Sequence, residues 1–182
     1  MILICHKNMI AKANMDLNNK TTLFIDLDDT LIKTVSGKTF AEDCTDFQIR
    51  KEVLDQIVLK MPRLQDMCIV TNQGGAGVYF SKEDLEIKLI AVKSFIGRYI
   101  GNRLKSFGAV TIECCYSMDK KDRRRKPNCG MLEDYYGSFP KEKAVMIGDA
   151  SGKEGDFSDS DKKCAENFGI DYIDIRDFLN LE

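Results

Sequence analysis

Thr22-Leu23-Phe24-Ile25-Asp26-Leu27-Asp28-Asp29-Thr30 is the stretch that decides the fold. Its short apolar run reads as a strand buried on both faces. The strand ends on an acid, and three carboxylates then fall within four positions. Like charges this close repel, and each loses hydration unless something compensates. Two readings fit: an acidic turn that caps a helix, or a site for a divalent cation. Magnesium suits the second, because it takes oxygen ligands from one or two carboxylates with the remainder from water and phosphate.

The same unit recurs along the chain. Met67-Cys68-Ile69-Val70 ends at Thr71, Ala109-Val110-Thr111-Ile112-Glu113-Cys114 follows, and Ala144-Val145-Met146-Ile147 ends at Gly148-Asp149. Tyr172-Ile173 makes a short fifth strand, and Ile2-Leu3-Ile4 adds a candidate edge strand. Between them lie helical patterns at residues 50–60, 82–105 and 161–168. The second carries an apolar stripe of Leu85, Leu89, Val92, Phe95, Ile96, Tyr99 and Ile100, with Ser81 and Asp84 spaced as a capping box. Gly169 reads as the stop of the third. Alternating strands and helices predict an α/β fold, a Rossmann-like, mostly parallel central sheet with helices on both faces. Ligands in such sheets bind beyond the carboxyl ends of the strands.

Composition narrows the chemistry. The 182 residues hold 27 Lys and Arg against 29 Asp and Glu, a formal net charge of −2. Hydrophobic residues at 43% and charged residues at 31% describe a folded globule, read as one domain over 1–182 and as a monomer. The single histidine is His6. Ser-His-Asp or Cys-His catalysis would have to run through it, and a zinc site built on several histidines is excluded. The seven cysteines are scattered without a C-x-x-C pair, which predicts free thiols in a reducing, intracellular compartment. Cys68 and Cys114 lie in apolar runs and read as core. No run approaches the roughly 18 apolar residues that a membrane span needs. Met1–Lys7 lacks the basic leader and cleavage site of a signal peptide.

Polar residues at the other strand ends add to the acids of the first. Thr71-Asn72-Gln73-Gly74-Gly75 offers a hydroxyl and backbone N–H groups to a phosphate, or is simply a polar loop. Lys120-Lys121-Asp122-Arg123-Arg124-Arg125-Lys126 holds six bases in seven positions, which fits a solvated loop as well as a phosphate-attracting patch.

Together the order is specific: Asp26-x-Asp28-x-Thr30, then Thr71, Lys126 and Asp149. In this order the chain resembles the haloacid dehalogenase (HAD) superfamily of phosphohydrolases over nearly its whole length. Asp29 departs from the pattern, since many members have glycine there. Further motifs are Ser36-Gly37-Lys38-Thr39-Phe40, Thr71-Asn72-Gln73, Arg125-Lys126-Pro127 with Gly130-Met131, and Gly148-Asp149-Ala150-Ser151-Gly152 with Asp156-Phe157-Ser158. These look like the phosphatase domain of polynucleotide kinase 3′-phosphatases, with a shorter segment after Asp149.

The resemblance implies a HAD fold and a magnesium-dependent enzyme that removes 3′-phosphate from DNA ends in strand-break repair. It implies that Asp26 is the nucleophile, forming an aspartyl-phosphate, and that Asp28 is the general acid and base. It places Mg2+ on the Asp26 carboxylate, the Asp28 backbone carbonyl and Asp149. Thr71, Asn72 and Lys126 would hold the phosphate, and Asp161 would orient Lys126 or water rather than bind metal. The intervals Thr30–Met67 (one short loop and one helix) and Thr71–Lys126 leave no room for a large cap domain. An open site could admit a polymer end, with Lys120, Lys121, Arg123, Arg124 and Arg125 beside it for the DNA backbone.

The nearest rival is a small-molecule phosphatase of the histidinol-phosphate or heptose-bisphosphate type. Those relatives usually carry a Cys/His zinc loop before the lysine, and Cys114-Cys115-Tyr116-Ser117 is followed by no histidine, so no zinc is expected. A non-catalytic DNA-end-binding module would not require Asp28. Cys44 and Arg50 match the C-x5-R spacing of cysteine phosphatases, but the interval lacks glycine and carries Asp46. Gly148 to Lys153 falls one residue short of a P-loop. The chain therefore reads as having neither a kinase nor a forkhead-associated domain.

Overall fold

The computed structural model describes residues 15–39, 41–78, 80–135, 137 and 139–181. Ile2-Leu3-Ile4 and His6 lie outside the described residues. Five parallel strands form the central sheet: β1 (Thr22–Ile25), β4 (Asp66–Asn72), β5 (Ala109–Cys115), β6 (Ala144–Gly148) and β7 (Asp171–Asp174), in the order β5-β4-β1-β6-β7. β1 lies at the centre. Its register sets Ile25 beside Ile69 of β4 and Ile147 of β6, so β1 and β6 end within a residue of each other while β4 runs on to Asn72.

Period-two alternation explains why these apolar runs are strands. Leu23, Ile25, Met67, Ile69, Val145 and Ile147 face one core. Phe24, Cys68, Val70, Ala144 and Met146 face the other. The first core is covered by α1 (Lys51–Lys60), α2 (Lys82–Gly101) and α5 (Ile175–Asn180), through Leu54, Ile57, Val92, Ile96 and Phe178. The second is covered by α3 (Gly130–Tyr135) and α4 (Ser160–Phe168), through Met131, Leu132, Ala165 and Phe168. Residues of β1 buried on both faces thus each meet a different helix layer.

Boundaries follow local chemistry. The Ser81 hydroxyl accepts the Asp84 N–H at 2.9 Å and starts α2. α2 stops at Gly101, short of the expected 105. Beyond it the Arg103 and Leu104 amides both donate to the Ile100 carbonyl, a tightened turn that buries Leu104. Gly169 adopts φ +83 and returns its N–H to Ala165 and Glu166, closing α4. Cys68, Cys115 and Cys164 are buried and Cys114 is half-buried, all as free thiols. Burial pushes the Cys68, Cys114 and Cys164 thiols up to about 12, so none is poised as a nucleophile. No described helix is long and apolar enough to cross a membrane.

Between Thr30 and α1 the chain is more than the loop expected. β2 (Ile32–Lys33) and β3 (Gln48–Ile49) pair antiparallel. Two-residue strands leave no periodic signal, which is why the sequence hides them. Asp46 ties their connection shut by accepting the Ser36 N–H and hydroxyl at 2.7 Å each and the Glu42 N–H at 3.0 Å. These bonds, the Glu42 amide first, hold the Asp46 carboxyl down at about 2. A depressed folded value stabilises above the ordinary carboxylate range and is lost as pH falls through the folded value. Asp46→Ala is therefore expected to lower Tm at pH 7, with the gap to wild type closing as pH approaches 2. Thermal melts at both pH values check this, and a constant gap would overturn it.

Candidate active site

All the acids of the opening motif sit at the carboxyl edge of the sheet, where β1 separates neighbours reached by opposite crossovers. Asp26 leaves β1 with its N–H bonded to the Ile147 carbonyl at 3.0 Å, which fixes its backbone. The side chain is buried. Lys126 Nζ lies 2.5 Å from Asp26 Oδ1, 2.7 Å from Asp161 Oδ1 and 2.9 Å from the Val70 carbonyl oxygen. An ammonium has three N–H donors, so these partners account for all of them. Asp161 Oδ2 accepts the Ala150 N–H at 3.1 Å, so both of its oxygens are engaged.

Electrostatics follow from this packing. Burial raises the Asp26 carboxyl well above its ordinary value, Lys126 opposes that, and Asp161, Asp149 and Asp28 add to it. Burial and then Asp161 raise Asp149 to about 6. Burial alone would pull Lys126 down, but Asp161 and Asp26 outweigh it and hold the ammonium above its usual range. Three carboxylates therefore share one cation. Asp26, Asp149 and Asp161 each offer an oxygen, all within 4.8 Å of one another. That donor set fits a magnesium ion, whose charge would offset the excess negative charge. Asp161 already binds Lys126 and Ala150, which leaves Asp26 and Asp149 as the carboxylates freer to ligate. Thr30 Oγ1 donates to Asp149 Oδ1 at 3.3 Å and holds it toward the motif.

Glycine is required at one close approach. A Cβ on Gly148 would stand 2.3 Å from Asp161 Oδ2, so only glycine lets that carboxylate reach Lys126. Asp29 has φ +56, a left-handed conformation that favours glycine and that a short polar residue tolerates. Downstream, Asp156 Oδ2 accepts from Ser151 N–H and Oγ and from Lys153 N–H, while Arg176 grips its other oxygen at 2.7 Å. This network pins the segment that follows Asp149. Lys126-Pro127 is a cis peptide.

The structure brings together Asp26, Asp149, Lys126, Asp161 and Thr71. Thr71 is buried at the end of β4. Asn72, expected beside phosphate, instead splints the lysine loop: its Oδ1 accepts the Lys126 N–H at 3.0 Å and its Nδ2 donates to the Lys126 carbonyl at 3.1 Å. Successive strand residues point to opposite faces, which turns Asn72 away from the side shown by Thr71.

Ion pairs with neighbouring acids divide the basic run. Arg123 pairs with Asp134 at 2.5 Å and lies 3.7 Å from Glu133, both on α3. Arg124 pairs with Glu113 at 2.6 Å, and Arg125 donates to the Ser117 carbonyl at 2.8 Å. Among the described residues, Lys120 and Lys121 alone in this run have exposed side chains with no carboxylate within reach. They border a hollow of about 640 Å³ with Arg123, Asn128 and Asn167.

Two residues to which the sequence reading assigns no role face the acid. Gln73 Nε2 donates to Asp28 Oδ2 at 2.6 Å and to Thr71 Oγ1 at 2.8 Å. Lys88 of α2 places its ammonium 3.5 Å from Asp28 Oδ1. The coincidental Cys44/Arg50 spacing resolves as structure: Arg50 donates to the Asp29 and Thr30 carbonyls at 2.7 and 3.3 Å. Lys153 of the near P-loop pairs with Asp177 at 2.8 Å.

Known proteins resemble this chain in sequence and in fold. A family model described as polynucleotide kinase 3 phosphatase matches residues 21–178. The bifunctional polynucleotide phosphatase/kinase of Schizosaccharomyces pombe is 29% identical over 170 residues, covering 90% of this chain and 38% of that protein. The histidine biosynthesis bifunctional protein HisB of Legionella pneumophila is 30% identical over 169 residues, covering 86% of this chain and 41% of that protein. The chain thus spans about two fifths of the length of either relative. The D,D-heptose 1,7-bisphosphate phosphatase of B. bronchiseptica, solved with magnesium and phosphate, shares the fold with TM-score 0.62 at 19% identity, over 84% of this chain and 78% of its own.

Proposed function

We propose that this chain, which belongs to the polynucleotide kinase 3 phosphatase family, is a magnesium-dependent polynucleotide 3′-phosphatase that clears 3′-phosphate from DNA ends during strand-break repair. The observation that carries this reading is the open carboxyl edge. Asp28 is half-exposed above buried Asp26, and the intervals beside it hold a two-strand ladder and single helices, without a large cap. A polymer end can approach such a site.

Chemistry follows from the residues. An Asp26 oxygen attacks phosphorus in line, and a P–O bond forms as the bond to the 3′-oxygen breaks. That oxygen keeps the electron pair and takes the proton of the Asp28 carboxyl. Water then attacks the aspartyl-phosphate and gives its proton to Asp28, and the Asp26 carboxylate is released with inorganic phosphate. Thr71 accepts from Gln73, which leaves its hydroxyl proton to donate to a phosphate oxygen. Lys126 supplies positive charge to the non-bridging oxygens. A magnesium ion would be held by Asp26, the Asp28 carbonyl and Asp149, and would supply charge neutralisation between the two anions. Lys120 and Lys121, exposed and with no carboxylate within reach among the described residues, are the residues of the basic run freest to meet the polymer backbone.

A second reading, a small-metabolite phosphatase, is favoured by the similarity to HisB. One assay separates the two. Phosphate release is expected from a 3′-phosphorylated oligonucleotide with magnesium, and much less from histidinol phosphate or after chelation. Turnover of histidinol phosphate alone would overturn the polynucleotide reading. For the oligonucleotide, KM is expected to rise with salt, with a logarithmic slope of roughly 0.7 per backbone contact.

A further inference from the structure

Lys88 is a charged residue in an apolar place. It follows Leu85 by three positions and precedes Val92 by four, on the face of α2 that packs against the sheet. Its side chain is 8% exposed. Burying an ammonium is costly unless a partner compensates. Among the described residues the carboxylate within 4.0 Å is Asp28, at 3.5 Å, and the ring of Phe47 lies 5.7 Å away. On the other side, Gln73 Nε2 grips Asp28 Oδ2 and also reaches Thr71. Asp28 itself sits on a half-exposed turn, so without these two contacts its carboxyl could swing into solvent.

We propose that Lys88 and Gln73 clamp Asp28 from opposite sides, and that Lys88 is a positioning residue for proton transfer to the leaving oxygen. The inference rests on the phosphatase reading of the site and does not depend on polynucleotides being the substrate. Gln73 fixes where the carboxyl points and ties it to the Thr71 hydroxyl. Lys88 favours the charge that develops on Asp28 as its proton moves to the departing oxygen. The ring of Phe47, immediately before β3, lies 5.7 Å from the ammonium and connects the β2–β3 ladder to this pair.

Leaving-group dependence isolates this role. An alkyl phosphomonoester such as thymidine 3′-phosphate needs a proton on its leaving oxygen, whereas 4-nitrophenyl phosphate releases a stable phenolate without one. In Lys88→Met the ratio of kcat/KM for the alkyl over the aryl ester is expected to fall about tenfold or more, within the range general acids contribute. Methionine keeps the packing of the stem, so Tm should not fall. Lys88→Arg should recover part of the ratio. In an Asp28→Asn background, Lys88→Met should cost the alkyl ester little more, because both changes act on one step. Parallel loss on both esters, an unchanged ratio or full additivity would each overturn the clamp. Both probes are small monoesters, so failure on oligonucleotides would refute the polynucleotide reading and leave this comparison standing.

Discussion

Asp26→Asn is expected to lower phosphatase turnover by about 10⁴-fold or more while leaving the protein folded. The substitution preserves shape but replaces the attacking oxyanion by an amide, which cannot form the aspartyl-phosphate. Stability should be kept because Asp26 is a costly residue in this place. Burial and three neighbouring carboxylates all disfavour its charge, and only Lys126 favours it. After the substitution Lys126 retains Asp161 at 2.7 Å and the Val70 carbonyl at 2.9 Å. Tm should therefore stay within a few degrees of wild type or rise. A rapid-quench assay with labelled substrate, read beside a thermal melt, checks both halves. Full activity in a folded Asp26→Asn protein would remove Asp26 from the nucleophile's role, whereas inactivity with an unfolded protein would show that the residue is structural.

That expectation shows which parts of the site were legible in the sequence. Asp26, Asp28, Thr71 and Asp149 follow strands whose apolar runs are unmistakable, so their place at the carboxyl edge could be read from local pattern alone. Gln73 was half-legible: it stands two residues after Thr71, and a period of two puts both on one side, while Asn72 between them turns to the lysine loop. Lys88 left a signal that is easy to miss, a charge at helical spacing within a stripe of Leu85, Leu89 and Val92.

The division of the basic run by ion pairs is invisible in the sequence because the partners are remote in the chain. Glu113 lies on β5, and Glu133 and Asp134 lie on α3, so only the fold reveals that Arg123 and Arg124 are already paired. The short elements β2, β3, α3 and α5 were missed for a related reason. Segments of two to six residues carry too little periodicity, and tertiary contacts hold them.

Lys126→Met should have the largest effect on stability. The lysine and Asp161 side chains are 3% and 2% exposed, and the ammonium joins two buried carboxylates. Removing one member of a buried ion pair leaves an uncompensated charge and costs about 3–5 kcal/mol, or a Tm lower by roughly 10 °C in a chain of this size. The deficit should depend on pH with a definite sign. Asp26 already has a folded value above its ordinary one, and loss of Lys126 raises it further. A group whose folded value is raised destabilises as pH climbs through that value, so the deficit should shrink on acidification. Adding Asp161→Asn should recover part of the lost Tm, because it removes one of the two charges left without a partner. It should recover none of the activity, since neither change restores a cation to the phosphate. Thermal melts of the single and double variants across pH check this. A Lys126→Met protein as stable as wild type at neutral pH would mean that the three-way contact is not what holds this edge together.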